Sequence, residues 1–423
     1  MQWMMVFVGL IVSNHAQAED VLGYAEVRGG FHVGVEGKTW ELSEVFRPTF
    51  SGEISDRVVL NTTLQVQFFQ GRNIEEEVQR TLNESDFGPL LDMLGCEWPQ
   101  TNGLDPRDYL AVDRLYLDVY LPAVDIRIGR QAVRWGSAML ISPTDPFPEL
   151  LFNQPWQPRK GINAVRATFP IKDVHQVELA VGADDTFESV KAAARGTVNF
   201  FGTDFSLMGS FDSKRDAGAV GAEIRGTLGV GYWIEGAIRF DEDIYEEVAV
   251  GVDYSFPLLE GLMVGAEYFR NGGGAGDEGG SMADRLSSGL TAPDCDLDAS
   301  AWFPEDTEEA ASPVMLARQN YGLLTTSLGI VPELSTTMVW VQNFDDGTGM
   351  VVPMVSVHPT GWLEISAMAQ VPVRVWGNGG EFKPDSEDLT LSYEPLDGLD
   401  LLSADFSGLI PDGSIYLWTR VNF

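Results

Sequence analysis

The feature that most constrains this chain is a period of two that recurs over most of its length. In "LAVDRLYLDVYL" (110–121), Leu115, Leu117, Val119 and Leu121 share one face, while Arg114, Tyr116, Asp118 and Tyr120 share the other. In "AVGAEIRGTL" (219–228), Val220, Ala222, Ile224 and Leu228 oppose Glu223 and Arg225. In "GYWIEGAIRFD" (231–241), Tyr232, Ile234, Ile238 and Phe240 oppose Glu235, Arg239 and Asp241. Side chains on a strand point alternately to its two sides, so this spacing predicts strands with one apolar and one charged face. Two architectures accept such strands. A secreted sandwich or propeller would press the apolar faces together, whereas a membrane barrel turns them to lipid and encloses the charges in a wet lumen.

The ends of the chain separate the two. An apolar run from Met4 to Val12 precedes Ala16-Gln17-Ala18, the small-x-small pattern of a signal-peptidase site, so residues 1–18 read as a cleaved export signal and 19–423 as one domain. Beyond residue 18 no apolar run approaches the ~20 residues of a membrane helix. The chain closes on "GSIYLWTRVNF", with Ile415, Leu417, Thr419, Val421 and Phe423 on one face. A terminal aromatic completing an amphipathic strand resembles the assembly signal of bacterial outer-membrane barrels, which makes Phe423 the expected contact with the barrel-assembly machinery. An exported chain without such a helix can pair every backbone group in lipid only as a closed barrel. The expected fold is therefore all-β: an antiparallel transmembrane β-barrel of about 18 strands, with 16 as the alternative, in the outer membrane of a Gram-negative cell.

The connections support this. Short links at "EISDR" (53–57), "LPAVD" (121–125), "FPIKD" (169–173), "FGTD" (201–204), "FPLLEG" (256–261), "VPEL" (331–334) and "HPTG" (358–361) fall on one parity. The long connections, 71–108, 136–160, 272–318 and 377–412, fall on the other. Barrels of this type have short periplasmic turns and long extracellular loops. The stretch 386–412 fits either as a strand-pair partner or as a sheet carried by the loop. Aromatics expected at the two interfaces are Phe68-Phe69, Phe200-Phe201, Tyr268-Phe269, Tyr321, Trp340 and Trp362.

Loop 136–160 follows a strand read as "DIRIGRQAVRW" and carries five prolines between 143 and 158, with Phe147, Leu150, Leu151, Phe152 and Trp156. So apolar a loop is expected to fold inward and narrow the pore. Asp145, Glu149, Arg159 and Lys160 would then stand near a constriction, facing Arg127, Arg134 and Arg166 on the wall. Opposed acids and bases would sort solutes by charge. The rest of the lumen is read as Arg114, Asp118, Glu223, Arg225, Glu235, Arg239 and Glu267.

The segment "GRQAVRWG…ISPTDPF…PRKGINAVRATFP" resembles a pattern in a broad group of Gram-negative outer-membrane porin-like barrels, which includes alginate-export-type channels and uncharacterised members. There a "GRQ…WG" strand leads to an "NPTD"-type loop and a strand beginning "G(V/I)(N/D)A(V/L)R"; Ser142 stands here where that group has Asn. The match covers about Asp125 to Pro170. It implies a β-barrel and a channel, and assigns no substrate.

Other chemistry is sparse. Net charge is −36, from 63 acids against 27 bases, which sets nucleic acid aside as a partner. The expected partners are outer-membrane lipid and lipopolysaccharide, and small polar solutes. Asp294, Asp296 and Asp298 alternate in "PDCDLDAS" as Ca²⁺ ligands do, but the glycine and distal Glu of an EF-hand are missing, and no other cofactor is suggested. Cys96 and Cys295 lie in two long loops of one parity, where a disulfide would tie them across the mouth, the alternative being two free thiols. His32, His175 and His358 stand beside no nucleophile motif, and His175 has the parity and position of an interfacial residue, so no enzyme is expected. The function expected is passive diffusion of small hydrophilic or charged solutes, with loop 136–160 as the constriction. The alternative is a barrel-anchored surface protein that binds, or serves structurally, through its acidic loops; 272–318 alone holds ten acids.

Overall fold

A computed structural model describes residues 21–33, 40–71, 109–148, 154, 157–172, 174–183, 187, 189–214, 216–240, 244–274, 316, 318–377, 380–383, 390–393, 402–405 and 412–423. Among these, eighteen strands form one closed antiparallel sheet. They are β1 (Val21–Val33), β2 (Trp40–Ser55), β3 (Val58–Gly71), β4 (Tyr109–Tyr120), β5 (Asp125–Gln131), β6 (Ile162–Ile171), β7 (His175–Ala183), β8 (Val190–Phe200), β9 (Thr203–Asp212), β10 (Ala217–Thr227), β11 (Gly231–Phe240), β12 (Ile244–Phe256), β13 (Gly261–Asn271), β14 (Asn320–Val331), β15 (Leu334–Asn343), β16 (Thr348–Thr360), β17 (Leu363–Arg374) and, last in the chain, β20 (Gly413–Asn422). Between β17 and β20, β18 (Thr390–Tyr393) and β19 (Leu402–Asp405) form a separate two-stranded sheet, so these two strands pair with each other and not with the wall. Each wall strand pairs with its sequence neighbour, and β20 closes the ring between β17 and β1. At the seam Gly23 and Phe423 exchange both backbone hydrogen bonds at 2.9 Å, and Phe423 stacks on Phe46.

The alternation read from the sequence is the alternation of the barrel. Leu115, Val165, Leu207, Val220, Ile238 and Leu417 are exposed on the outer surface. Arg114, Asp118, Glu223, Glu235 and Glu267 take the opposite parity and are buried or nearly so. At roughly 25 cal/mol per Å², an apolar band on this scale is stable only against lipid, which with eighteen closed strands is the construction of a Gram-negative outer-membrane protein. The short links all emerge at one end, joined there by 228–230 between β10 and β11. The turn between β8 and β9 has positive φ at Phe201 (53°) and Gly202 (80°), the two-residue geometry whose twist matches paired strands.

Two expectations change. The strand read as ending at Trp135 ends at Gln131. Its alternation continues through Val133 and Trp135, but both side chains pack on the inner face of the neighbouring wall. Of the aromatics assigned to the interfaces, Phe69, Phe269 and Tyr321 are buried, while Phe68, Phe200, Phe201, Tyr268 and Trp362 are exposed. Adjacent residues on a strand face opposite sides, so a strand-borne aromatic pair gives only one ring to lipid.

Candidate functional site: a lumen divided into two halves

From Gln131 the chain leaves the wall and runs along its inner surface. Val133 and Trp135 lie with Ala164, Ala180, Ala193 and Met208, which are inward residues of β6 to β9, and Trp135 Nε1 donates to Glu178. At Gly136 φ is 78°, and a Cβ there would meet Ser142, Glu235 and Thr144, so glycine is required. Next come three wall glutamates. Glu223 accepts from Ser137 Oγ and pairs with Arg195. Glu235 accepts from the amides of Ser137 and Ala138 (2.6 Å for Ala138) and from the hydroxyls of Ser142 (2.5 Å) and Thr144 (3.0 Å). Glu267 accepts from the amides of Met139 (2.7 Å) and Leu140 (2.9 Å) and from Trp233 Nε1 (2.7 Å). The loop thus begins on β5 and reaches β13, eight strands around an eighteen-strand ring.

Its far end rests on an apolar patch. Ala138 and Leu140 are buried with Phe269, Leu323, Val341, Met350, Met368 and Trp418, inward residues of β13 to β17 and β20. The chain then returns. Arg239 donates to the Pro143 carbonyl at 3.3 Å, and Phe147 packs over Gly182 of β7, where a Cβ would collide with its ring. Asp145 pairs with Arg159 at 2.7 Å and accepts from the Phe147 amide at 3.0 Å. Burial pushes the Asp145 carboxyl above the ordinary range, against the pull of Arg159 and the Phe147 amide. Of the Pro-rich stretch, 149–153, 155 and 156, including Glu149, lie outside the described residues, as do Cys96, Cys295, Asp294, Asp296, Asp298 and residues 1–18.

The other half of the inner wall, from β20 through β1 to β6, is polar. Glu26 accepts from Arg420 at 2.9 and 2.6 Å and from Arg28 at 3.1 Å; Arg420 also approaches Glu364 at 3.8 Å. Asp113 takes Arg47, Arg114 (2.8 Å) and the Gly161 amide (3.3 Å). Asp118 holds Arg127 through Nε at 2.6 Å and Nη2 at 3.1 Å. The guanidinium of Arg420 lies 4.5 Å from the Tyr24 ring, and that of Arg127 lies 4.3 Å from Tyr116. Glu26 and Asp113 thus each take two arginines, one of which, Arg420, also nears Glu364, and Arg166 stands directly opposite Arg127 in register. These ion pairs are not sealed: the Arg127 side chain is 28% exposed and that of Arg420 19%.

The residues assigned to a constriction are distributed as follows. Asp145 and Arg159 meet each other within the loop, Arg127 meets Asp118, and Arg134 donates to the Ala138 carbonyl at 3.2 Å. Lys160 is half-buried beside Gly161. Of the lumen set, Arg114 and Asp118 belong to the polar half, Arg225 is exposed near the tight-turn end, and Arg239 pairs with Glu247 at 2.7 Å. Glu223, Glu235 and Glu267 lie beneath the loop and not in open lumen.

Sequence reading missed Asp113, Glu26, Arg28, Arg47, Arg420 and Glu364. Asp113 is the extra residue of a bulge, since Thr63 faces Arg114 and Leu64 faces Val112, so Asp113 and Arg114 both point inward. The adjacent Asp-Arg interrupting an alternating strand was its signal. The others stand at inward parity in β1, β2, β17 and β20 and were available by counting. The structure also brings His32 Nδ1 to Ser414 Oγ at 2.8 Å, with Glu41 4.0 Å from the other ring nitrogen. His175 accepts from the Asn199 amide at 3.1 Å beside Phe200.

No protein-family model matches the chain, and no curated protein matches it. Solved structures do. The chain is similar to Pseudomonas aeruginosa OccK5 (OpdH), at 9% identity over 96% of this chain and 99% of that one, with a TM-score of 0.51. It is similar to OccK11 (OpdR) of the same organism, at 9% identity over 96% of each chain and a TM-score of 0.50. It is also similar to Escherichia coli Wzi, described as an outer-membrane protein involved in group 1 capsule assembly and a carbohydrate-binding β-barrel, at 8% identity over 99% of this chain and 88% of that one, TM-score 0.51. At these identities the likeness is one of fold, and the fold is the porin-like outer-membrane barrel.

Proposed function

We propose that this protein is an outer-membrane channel for passive diffusion of small hydrophilic or charged solutes, with the passage along the polar half of the lumen and the 136–160 loop narrowing it. The observation that carries this reading is the division of the inner wall. The loop lies along the inner face from β6 to β13, on three glutamates and an apolar patch, and the half from β20 through β1 to β6 presents ion pairs whose arginines stay partly exposed. A barrel of this strand number leaves an aqueous interior unless something fills it. Acids and bases stand side by side along this passage, so the charge of a solute bears on how readily it passes. Lipid and lipopolysaccharide surround the barrel in this reading, and Phe423 serves its assembly; no catalytic step is part of it.

Liposome swelling tests the proposal. Vesicles holding the refolded protein should swell in small sugars and in small organic ions, and should exclude larger oligosaccharides. Folded protein that leaves vesicles impermeable would overturn it. The second reading, a binding barrel, is favoured by how much of the lumen the loop fills. It predicts saturable ligand binding without permeation, which the same vesicles would show as no swelling.

A further inference from the structure

The loop is held across the lumen by carboxylates, and the two that hold its far part differ in what a proton would do to them. Glu235 and Glu267 are 1% and 5% exposed, and neither makes a salt bridge among the described residues. Glu267 faces donors with no accepting capacity: the Leu140 amide at Oε1, and the Met139 amide and Trp233 indole N–H at Oε2. A hydrogen on Oε2 would point at another hydrogen, and on Oε1 only the side away from the Leu140 amide is open; in either case the three donors face a neutral acid in place of a carboxylate. Glu235 differs, because its Oε2 meets the Ser142 and Thr144 hydroxyls, which can rotate and accept. A proton there keeps the contact, while Oε1 goes on accepting from Ser137 and Ala138.

We infer that Glu267 is an acid-released latch: taking up a proton from the medium, it loses its grip on Met139 and Leu140 and frees the loop tip from the β13–β17 wall. The step makes one O–H bond and replaces a carboxylate acceptor with a carboxylic acid. Other charged groups around the loop tip are Arg195 on β8, Glu223 and Arg225 on β10, Glu235 and Arg239 on β11, Glu247 on β12, and Asp145 with Arg159 in the loop; Arg195 is engaged by Glu223, and Arg239 by Glu247. The barrel in acid would pass more, and larger, solutes. This rests on the channel reading, but the release itself does not depend on conductance.

The test is amide hydrogen exchange at Ser137–Leu140 in the detergent-solubilised barrel, corrected for intrinsic exchange at each pH, alongside bilayer conductance. In the wild type, exchange at Met139 and Leu140 should rise by about ten- to a hundredfold between pH 7.5 and 4.5, the factor expected for losing one or two hydrogen bonds to a charged group. Glu267→Gln should show the fast exchange already at pH 7.5 and no further rise, because its NH₂ must face a donor in either orientation. Glu235→Gln should accelerate exchange less than Glu267→Gln, since its NH₂ can face the two hydroxyls. Wild-type exchange that ignores pH would overturn the latch whether or not the variants fold, as would Glu235→Gln matching Glu267→Gln. PH-dependent exchange without conductance at any pH would leave the latch standing and refute the channel.

Discussion

Removing the charge of Asp118 should make the passage more anion-selective. Asp118 is 8% exposed and grips Arg127 with both oxygens, while Arg127 lies over the Tyr116 ring and faces Arg166 across the β5–β6 ladder. Asp118→Asn keeps the shape and one acceptor but leaves two guanidiniums side by side without the carboxylate that flanks them on β4. Unit charges 4 Å apart interact by about 1 kcal/mol in water and about 4 kcal/mol at the effective dielectric near a protein surface. A solute ion passing at roughly 6–8 Å in a wet lumen then gains or loses about 0.5–0.7 kcal/mol, a factor of about 2–3 for each ion and so about 6–10 in the anion-to-cation permeability ratio. Reversal potentials across a planar bilayer under a KCl gradient measure that ratio directly. The shift should shrink toward nothing at 1 M salt, where the screening length falls to about 3 Å. Arg127→Gln should shift the potential the other way. An unchanged potential in Asp118→Asn, or a shift toward cations, would refute the claim that solutes travel along this half of the wall.

Three further perturbations probe the fold that creates the passage. Trp135→Ala empties a site 2% exposed against Ala164, Ala180, Ala193 and Met208, and should cost the loop's docking about 3–5 kcal/mol, visible as faster amide exchange at 137–144 with the wall strands unaffected. Gly136→Ala puts a Cβ among Ser142, Thr144 and Glu235 at a φ of 78°, and should cost at least about 1–2 kcal/mol in the same measurement. Phe423→Ala removes the stack on Phe46 at 5.8 Å between ring centroids, worth about 0.5–1.5 kcal/mol at the seam, and should lower the fraction refolding to the fast-migrating band in unboiled gels.

Much of the wall was legible because each strand repeats one rule. Glu223, Glu235 and Glu267 show their inward direction by parity alone, and the spacing of short and long links shows which end is which. What parity does not carry is depth and partner. Glu235 and Glu267 read as lumen charges because nothing local reveals that Ser137–Thr144 comes to lie on them from about a hundred residues away. Gly182, Gly221 and Gly265 make room for Phe147, Thr144 and Met139, yet in the sequence they are ordinary strand glycines. Asp113 was hidden by the opposite fault, a bulge that suspends the alternation for one residue. The Pro-rich stretch remains the informative anomaly: its prolines discourage another strand, while the contacts that hold the loop across the lumen come mainly from the residues just before them.

The central claim is that a water-filled path persists beside the loop. Single-channel recording in planar bilayers tests it most directly, using refolded protein verified by its heat-dependent gel mobility, before and after residues 136–158 are replaced by a short glycine-serine linker. Discrete conductance steps in the intact protein, and larger ones after replacement, are predicted. Folded barrels that give no steps in either form would contradict the account.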